Sequence, residues 1–328
     1  MNASTIIPLL EKAVESRKGY FDPECRSAFR LFSGFTEGYR ELAIDIYGST
    51  LVVHDYAQTP DPSVSRVVVE YLQNNLNWLR AGIVKSRNGK TQEEKKGQIV
   101  FGGPPDTQIR EHGIWYSIDL TMNRDTSFYL DTGNLRKWLH DHMRGKSVLN
   151  TFAYTGSLGV AALAGEASKV IQHDRNKTFL NIARASYSLN NLPINGKDFI
   201  AQDFFPAIAR LKTMKQTFDC VIVDPPFFSS TSKGKVDQVN ESKRLINKVR
   251  PLVNDGGTLI AINNALYLSG KDYMETLEEI CKDGYLRIRE LIPVPDHFSG
   301  INNISDPITA PTPFNHSTKI AILDVKKK

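Results

Sequence analysis

The segment Phe218-Asp219-Cys220-Val221-Ile222-Val223-Asp224-Pro225-Pro226-Phe227-Phe228 sends an apolar strand straight into Asp-Pro-Pro-Phe. Two consecutive prolines end a hydrogen-bonding ladder and remove two donors, so stability alone gives no reason to place them there. What they leave is a rigid row of acceptors, the Asp224 carboxylate and the Pro225 carbonyl, with Phe227 and Phe228 alongside. Such a wall suits a planar nitrogen heterocycle. The acceptors take its N–H groups while an aromatic ring covers its face, as for a base removed from its stack.

Three further strand ends carry matching chemistry. Asn150-Thr151-Phe152-Ala153-Tyr154-Thr155-Gly156 closes a strand, and Ser157-Leu158-Gly159 opens a helix. Small residues at such a turn let the backbone approach a ligand at the carboxyl edge of a sheet. The turn lacks a full G-x-G-x-x-G, which argues against a dinucleotide pyrophosphate. Asp174 closes the next strand about 18 residues beyond Gly156, where an open α/β sheet offers a carboxylate to the ribose hydroxyls of an adenosine ligand. An N-cap role before the helix that follows is compatible with this. Gln202-Asp203 closes a third strand, placed for an adenine amino group.

The elements that must position these residues alternate. Strands at 147–152, 169–173, 199–201, 220–223 and 258–262 are interleaved with helices at 158–164, 177–190 and 241–253. This alternation predicts βαβ units, hence an α/β Rossmann-like domain with a mostly parallel sheet and helices on both faces. Two last strands are expected at 287–292 and 319–325, separated by a long loop that carries Pro293, Pro295, Pro307, Pro311 and Pro313. Ahead of this lies a helix at 5–18 and a mixture of short strands and one helix between 28 and 101. Gly102-Gly103-Pro104-Pro105-Asp106 reads as the linker. The expected organisation is an N-terminal helical segment at 1–26, a small α+β domain at 27–103 and the Rossmann-like domain at 104–328.

Composition sets the limits. The 328 residues are 41% apolar, enough for one large core or two ordinary ones. No apolar run approaches the roughly 20 residues that span a bilayer, and the start of the chain does not read as a secretory signal, so a cytoplasmic protein without membrane partners is expected. The three cysteines are odd in number and widely spaced, which excludes a disulfide framework and a zinc site of the usual spacing. Forty-one basic residues against 36 acidic ones give a net charge of +5, which permits nucleic-acid binding without requiring it.

Together, Asn150–Gly156, Asp174, Asp203 and Asp224–Phe227 resemble the motifs of class I S-adenosylmethionine-dependent methyltransferases. Asp-Pro-Pro-Phe resembles the signature of those that methylate nitrogen on nucleobases or glutamine amides. With Phe29–Tyr56, Gly34-Phe35-Thr36-Glu37-Gly38 and Ser127-Phe128-Tyr129-Leu130-Asp131, the chain is similar to bacterial large-subunit ribosomal RNA methyltransferases of both the 5-methylcytosine and 7-methylguanine branches, from residue 27 to 325. The resemblance implies a small α/β domain ahead of the methyltransferase domain, without the N-terminal PUA domain of the cytosine branch. It implies S-adenosylmethionine as cofactor, S-adenosylhomocysteine as product, no metal, and RNA, ribosomal RNA in particular, as partner. Tyr129 and Asp131 would lie near the cofactor. Asn150, Phe152, Tyr154, Thr155 and Gly156 would surround its methionine part, with Asp174 on the ribose and Asp203 at the adenine. Asp224 would stand at the mouth of the methyl-transfer site. Asp131 has an alternative as N-cap of the helix starting near Asn134.

The cysteines bear on which atom is methylated. Methylation at C5 of a pyrimidine needs a thiolate to attack C6, and in the cytosine branch that cysteine follows the strand after the Asp-Pro-Pro motif. Here the equivalent stretch is Ile260-Ala261-Ile262-Asn263-Asn264, and Cys220 lies inside an apolar strand. Nitrogen methylation is therefore expected, and the Asn263-Asn264 pair resembles the guanine branch, where an amide reads a purine edge. Turn formation is the alternative for that pair. Lys233 and Lys235 follow the catalytic wall and suit a phosphate. His316 is assigned a loop-stabilising hydrogen bond. Two other readings stay open: the same cofactor with a protein amide or small amine as acceptor, and a non-catalytic RNA-binding module. Monomer and homodimer are not separated.

Overall fold

The computed structural model describes residues 5–231, 234–301 and 311–327. The chain forms two compact units, Met1–Leu130 with Pro295–Asp306 and Asp131–Val294 with Pro307–Lys328.

In the first unit, α1 (Ile7–Ser16) precedes β1 (Ala28–Ser33), α2 (Gly34–Glu37), β2 (Leu42–Tyr47), β3 (Thr50–Asp55) and α3 (Pro62–Asn75). β4 (Ala81–Ser86), α4 (Gln92–Lys96), β5 (Gln98–Gly102) and the hairpin β6 (Gln108–Glu111) and β7 (Ile114–Ser117) follow. The five-stranded sheet runs β1-β2-β3-β4-β5, antiparallel except between β3 and β4. β2 and β3 are buried at every position, so their charged residues need partners. Burial alone would raise the Asp45 carboxyl, but Arg30 at 2.8 Å and His54 at 3.1 Å hold it well below the usual range. Arg17 and Glu37 form a second buried pair at 2.8 Å.

The boundary between units falls at Leu130, past the expected linker. Side-chain bonding explains the shift. The Asp106 carboxylate accepts the Ser49 N–H and the Ser49 and Thr50 hydroxyls at 2.8–2.9 Å, and the Tyr47 hydroxyl donates to the Phe128 carbonyl at 2.9 Å. Residues 104–130 are thereby stitched to the first sheet. A later segment returns to it: His297 Nδ1 accepts the Arg30 N–H at 3.1 Å, and the Thr36 hydroxyl donates to the Ser299 carbonyl at 3.0 Å.

The second unit comprises α5 (Gly133–His142), β8 (Ser147–Thr151), α6 (Ser157–Ala164), β9 (Lys169–Asp174), α7 (Lys177–Leu189), β10 (Phe199–Ala201), α8 (Phe204–Thr213) and β11 (Phe218–Val223). Then come β12 (Phe228–Thr231), β13 (Gly234–Asp237), α9 (Ser242–Val249), β14 (Val253–Asn263), α10 (Gly270–Cys281), β15 (Leu286–Ile292) and β16 (Lys319–Val325). The seven-stranded sheet has the order β10-β9-β8-β11-β14-β16-β15, and only β16 runs against the rest. This is the expected α/β fold. Strand order reverses between β8 and β11, and in open sheets that switch point is where ligands bind, outside the carboxyl ends. Helices closed by Leu158, Val160, Leu180, Leu211, Leu245 and Leu277 cover the sheet. Two local features differ from expectation. The helix expected at 241–253 stops at Val249 because Pro251 follows and β14 begins at Val253. The stretch after Asp-Pro-Pro-Phe folds into the β12–β13 hairpin.

Candidate active site

The carboxyl ends of β8, β9, β10 and β11 gather polar groups with few internal partners. After β8 the chain alternates through left-handed backbone at Phe152 (φ 55°), Tyr154 (φ 51°) and Gly156 (φ 77°). Two of these are non-glycine residues in a sparsely populated region, a strain found where backbone is shaped for a site. The turn is held from below. Asn150 Nδ2 donates to Gln172 Oε1 at 2.9 Å, and Gln172 Nε2 donates to the Gly156 carbonyl at 3.0 Å and the Tyr187 hydroxyl at 3.3 Å. A Cβ on Gly159 would lie 2.2 Å from Gln172 Nε2, so glycine is required for α6 to close on β9. Asn150 Oδ1 is buried without a partner.

At the end of β9, Asp174 accepts the Tyr154 N–H at 2.9 Å and the Asn176 N–H at 2.8 Å. Each carboxylate oxygen keeps a free lone pair, enough for two hydroxyls. Burial raises its pKa against those two N–H bonds. The N-cap of α7 is Asn176, which leaves Asp174 facing outward from the turn. Asp203, before α8, occupies the N-cap position without using its side chain for a cap bond.

Asp224 follows β11 and makes no hydrogen bond among the described residues. Burial, then the nearby Asp131 carboxylate, push its pKa up to about 7. Asp131 Oδ2 accepts the Thr318 hydroxyl at 2.7 Å, and the cap position of α5 belongs to Thr132, so Asp131 is not the cap. Phe227 and Phe228 expose 47% and 54% of their surface beside Asp224, as open aromatic faces. Three carboxylates, a strained turn and two exposed rings on one sheet edge fit an adenosine ligand with a cationic tail. Asp174 would hold the ribose, Asp203 the adenine amino group, and the 152–156 turn with Asp224 the tail.

Not every expected residue faces this edge. The Pro225 carbonyl is already engaged by the Gln238 side-chain amide, which leaves it one lone pair. Asn263 is fully buried and spends its amide on the Gln238 carbonyl and Ser242 hydroxyl, both at 3.0 Å, and on the Ala265 N–H at 3.0 Å. It builds the turn after β14. Only Asn264 presents an unbonded amide. Phe152 stacks on Phe204 at 4.5 Å and packs against the core. Tyr154 meets the Phe179 ring edge-on at 4.6 Å, and Thr155 is buried. Tyr129 belongs to the first unit, where its hydroxyl points to Asp125 at 3.5 Å. Lys235 pairs with Asp237 at 3.0 Å and lies 5.3 Å from the centre of the Phe228 ring. Lys233 lies outside the described residues. His316 Nδ1 accepts the Thr318 N–H at 3.1 Å, the expected loop bond.

Gln238 is the residue that motif reading misses. It is fully buried. Its amide joins the Pro225 carbonyl to the Asn264 N–H, the latter at 2.9 Å, and its own N–H donates to the Phe227 carbonyl at 3.1 Å. One glutamine thus fixes the Asp-Pro-Pro-Phe wall against the end of β14. Within the second unit, Cys220 is buried in β11 with its thiol pushed by burial up to about 12, and Cys281 ends α10.

The chain is similar to several known proteins. The chain is 28% identical over 89% of its length to Bacillus subtilis YwbD, provisionally named a ribosomal RNA large subunit methyltransferase, and covers 75% of it. It is 30% identical to the ribosomal RNA large subunit methyltransferase K/L of Colwellia psychrerythraea over 78% of its own length, but spans only 36% of that protein. The crystal structure of SMU.776 in complex with SAH shares the fold with a TM-score of 0.87 at 22% identity, covering 99% of this chain and 82% of that one. A family profile described as S-adenosylmethionine-dependent methyltransferase matches residues 41–306, most of the chain. The chain belongs to the S-adenosylmethionine-dependent methyltransferases, and S-adenosylmethionine is its cofactor.

Proposed function

We propose that this methyltransferase modifies a base nitrogen of RNA, with large-subunit ribosomal RNA as its substrate and the cytoplasm as its place of work. The observation that carries the reading is the Asp224 carboxylate, unpartnered at the end of β11 and flanked by two exposed phenylalanine rings. The names of the relatives supply the nucleic-acid class.

S-adenosylmethionine, when bound, supplies an electrophilic methyl group on a sulfonium centre. Asp174 and Asp203 fix the nucleoside half, and the strained turn at 152–156 fixes the rest, so little motion is left when the acceptor arrives. Phe227 or Phe228 covers the face of the extruded base. Asp224 accepts an N–H of that base, orients the nitrogen lone pair, and takes up a proton where the methylated nitrogen must lose one. A pKa near 7 suits such a group, because both of its protonation states are accessible at neutral pH. No thiolate is required. The burial of Cys220 inside β11 and the lack of a cysteine in Ile260–Asn264 support nitrogen rather than C5 as the acceptor.

The test is transfer of labelled methyl groups to ribosomal RNA from a strain lacking the protein, followed by nucleoside mass spectrometry. The expected product is a nucleoside methylated on a base nitrogen. Label on C5 of a pyrimidine, or in protein fractions alone, would overturn the reading.

A further inference from the structure

The outward face of α8 and α9 in the second unit carries an open groove of about 530 Å³, lined by Lys212, Asn240, Lys243, Arg244, Asn247 and Lys248. Its lining is cationic and amide-rich, which suits neither an apolar ligand nor a peptide face. Two of the four cations are neutralised: Arg244 pairs with Glu241 at 2.7 Å and Lys243 with Glu279. Lys212 and Lys248 have no acidic partner among the described residues. Burial and the Lys248 charge lower the Lys212 pKa, so the two ammonium groups repel across a shared space. Asn247 Oδ1 is buried with no partner. An amide can turn to present nitrogen instead of oxygen, which would add a donor to the lining.

The Asn240–Arg244 end of the groove lies towards the catalytic wall, and Lys212 and Lys248, in the last turns of α8 and α9, lie at its other end, towards the amino edge of the sheet. Arg244 lies over the Phe205 ring at 5.1 Å, and a Cβ on Gly234 of the β12–β13 hairpin would meet that ring at 2.3 Å. Asn240 stands two residues after Gln238, the residue that holds Pro225. Two lysines without an acidic partner among the described residues thus face one cavity.

We propose that this groove grips phosphodiester groups of the substrate RNA at a distance from the nucleotide presented to Asp224, with Lys212 and Lys248 as the phosphate contacts. The proposal rests on the RNA reading above. Phosphate contacts set register and orientation without reading sequence.

The experiment measures binding of unmodified, in vitro transcribed large-subunit ribosomal RNA from 50 to 200 mM salt. Wild type is compared with Lys212→Gln/Lys248→Gln and with Lys271→Gln/Lys282→Gln, a pair on α10 that removes the same charge elsewhere. Loss of two phosphate contacts should make the plot of log affinity against log salt shallower by about 1.4, and weaken binding about tenfold at 100 mM salt. The α10 pair should bind like wild type, and cofactor affinity should be the same in all three. Wild-type affinity and slope in the groove variant, or an equal loss in the α10 variant, would overturn the groove while leaving the RNA reading intact. No salt-dependent binding by wild type would overturn the RNA reading itself.

Discussion

The two ends of β11 each carry an aspartate, and they are treated in opposite ways. At the amino end, Asp219 accepts the Ser147 N–H and hydroxyl and the Asn254 amide, all at 2.8 Å. Burial acts to raise its pKa, but the Ser147 N–H and the Asn254 and Ser147 side chains outweigh it and lower the value. At the carboxyl end, Asp224 has no hydrogen-bond partner among the described residues, and burial with Asp131 drives its pKa up. One carboxylate ties strands together; the other makes no hydrogen bond among the described residues. A carboxylate held partly buried without a partner costs stability, so its place at a sheet's switch point is what the proposed ligand role accounts for, whereas the satisfied one is accounted for by structure.

The largest break in that comparison is expected from alanine at each end. Asp224→Ala should lower turnover about 100- to 1,000-fold, the scale of removing one electrostatic contact to a transition state, with cofactor affinity changed far less. Asp219→Ala should keep its turnover per folded molecule and lose about 1–3 kcal/mol of stability in urea titration, from the donors left unpaired. Asp174→Ala comes next: calorimetry should show cofactor binding weakened about 10- to 100-fold, the worth of charged hydrogen bonds to two hydroxyls. Gln238→Ala should reduce kcat about tenfold through misplacement of the wall while the cofactor Kd stays near wild type, a split that general destabilisation would not give.

The two aspartates also separate by pH dependence. Because the Asp224 carboxyl titrates near 7, kcat/KM should rise about tenfold per unit as pH increases towards 7 and then level off. Asp224→Asn should flatten that rise. Stability has the opposite sign. A carboxyl whose folded pKa lies above its unfolded value of about 4 makes wild type less stable as pH climbs from about 4 to about 7. For Asp219, with its lowered pKa, stability is instead lost as pH falls below the ordinary carboxylate range.

Much of the carboxyl edge was legible in the sequence, because Asp174, Asp203 and Asp224 each stand where an apolar run stops, and position at a strand end is a local property. What was not legible depends on partners far along the chain. Asn263 and Asn264 read as one motif, but at the end of β14 one side chain is buried and bonded while its neighbour is not. The Pro225 carbonyl read as free until the hairpin brought Gln238 onto it. Nothing about a glutamine in a polar stretch announces that role. The bonding of residues 104–130 to the first sheet depends on distant partners in the same way. Asp106 looks like a turn residue, and only Ser49 and Thr50, from a distant strand, show that it is an anchor.

The central claim is that the unsatisfied carboxylates of the sheet edge are ligand contacts. A crystal structure with S-adenosylhomocysteine tests it most directly. The account predicts both ribose hydroxyls on Asp174, the adenine amino group on Asp203 and the sulfur facing Asp224. A nucleoside bound elsewhere, with Asp174 still engaged only by Tyr154 and Asn176, would contradict it.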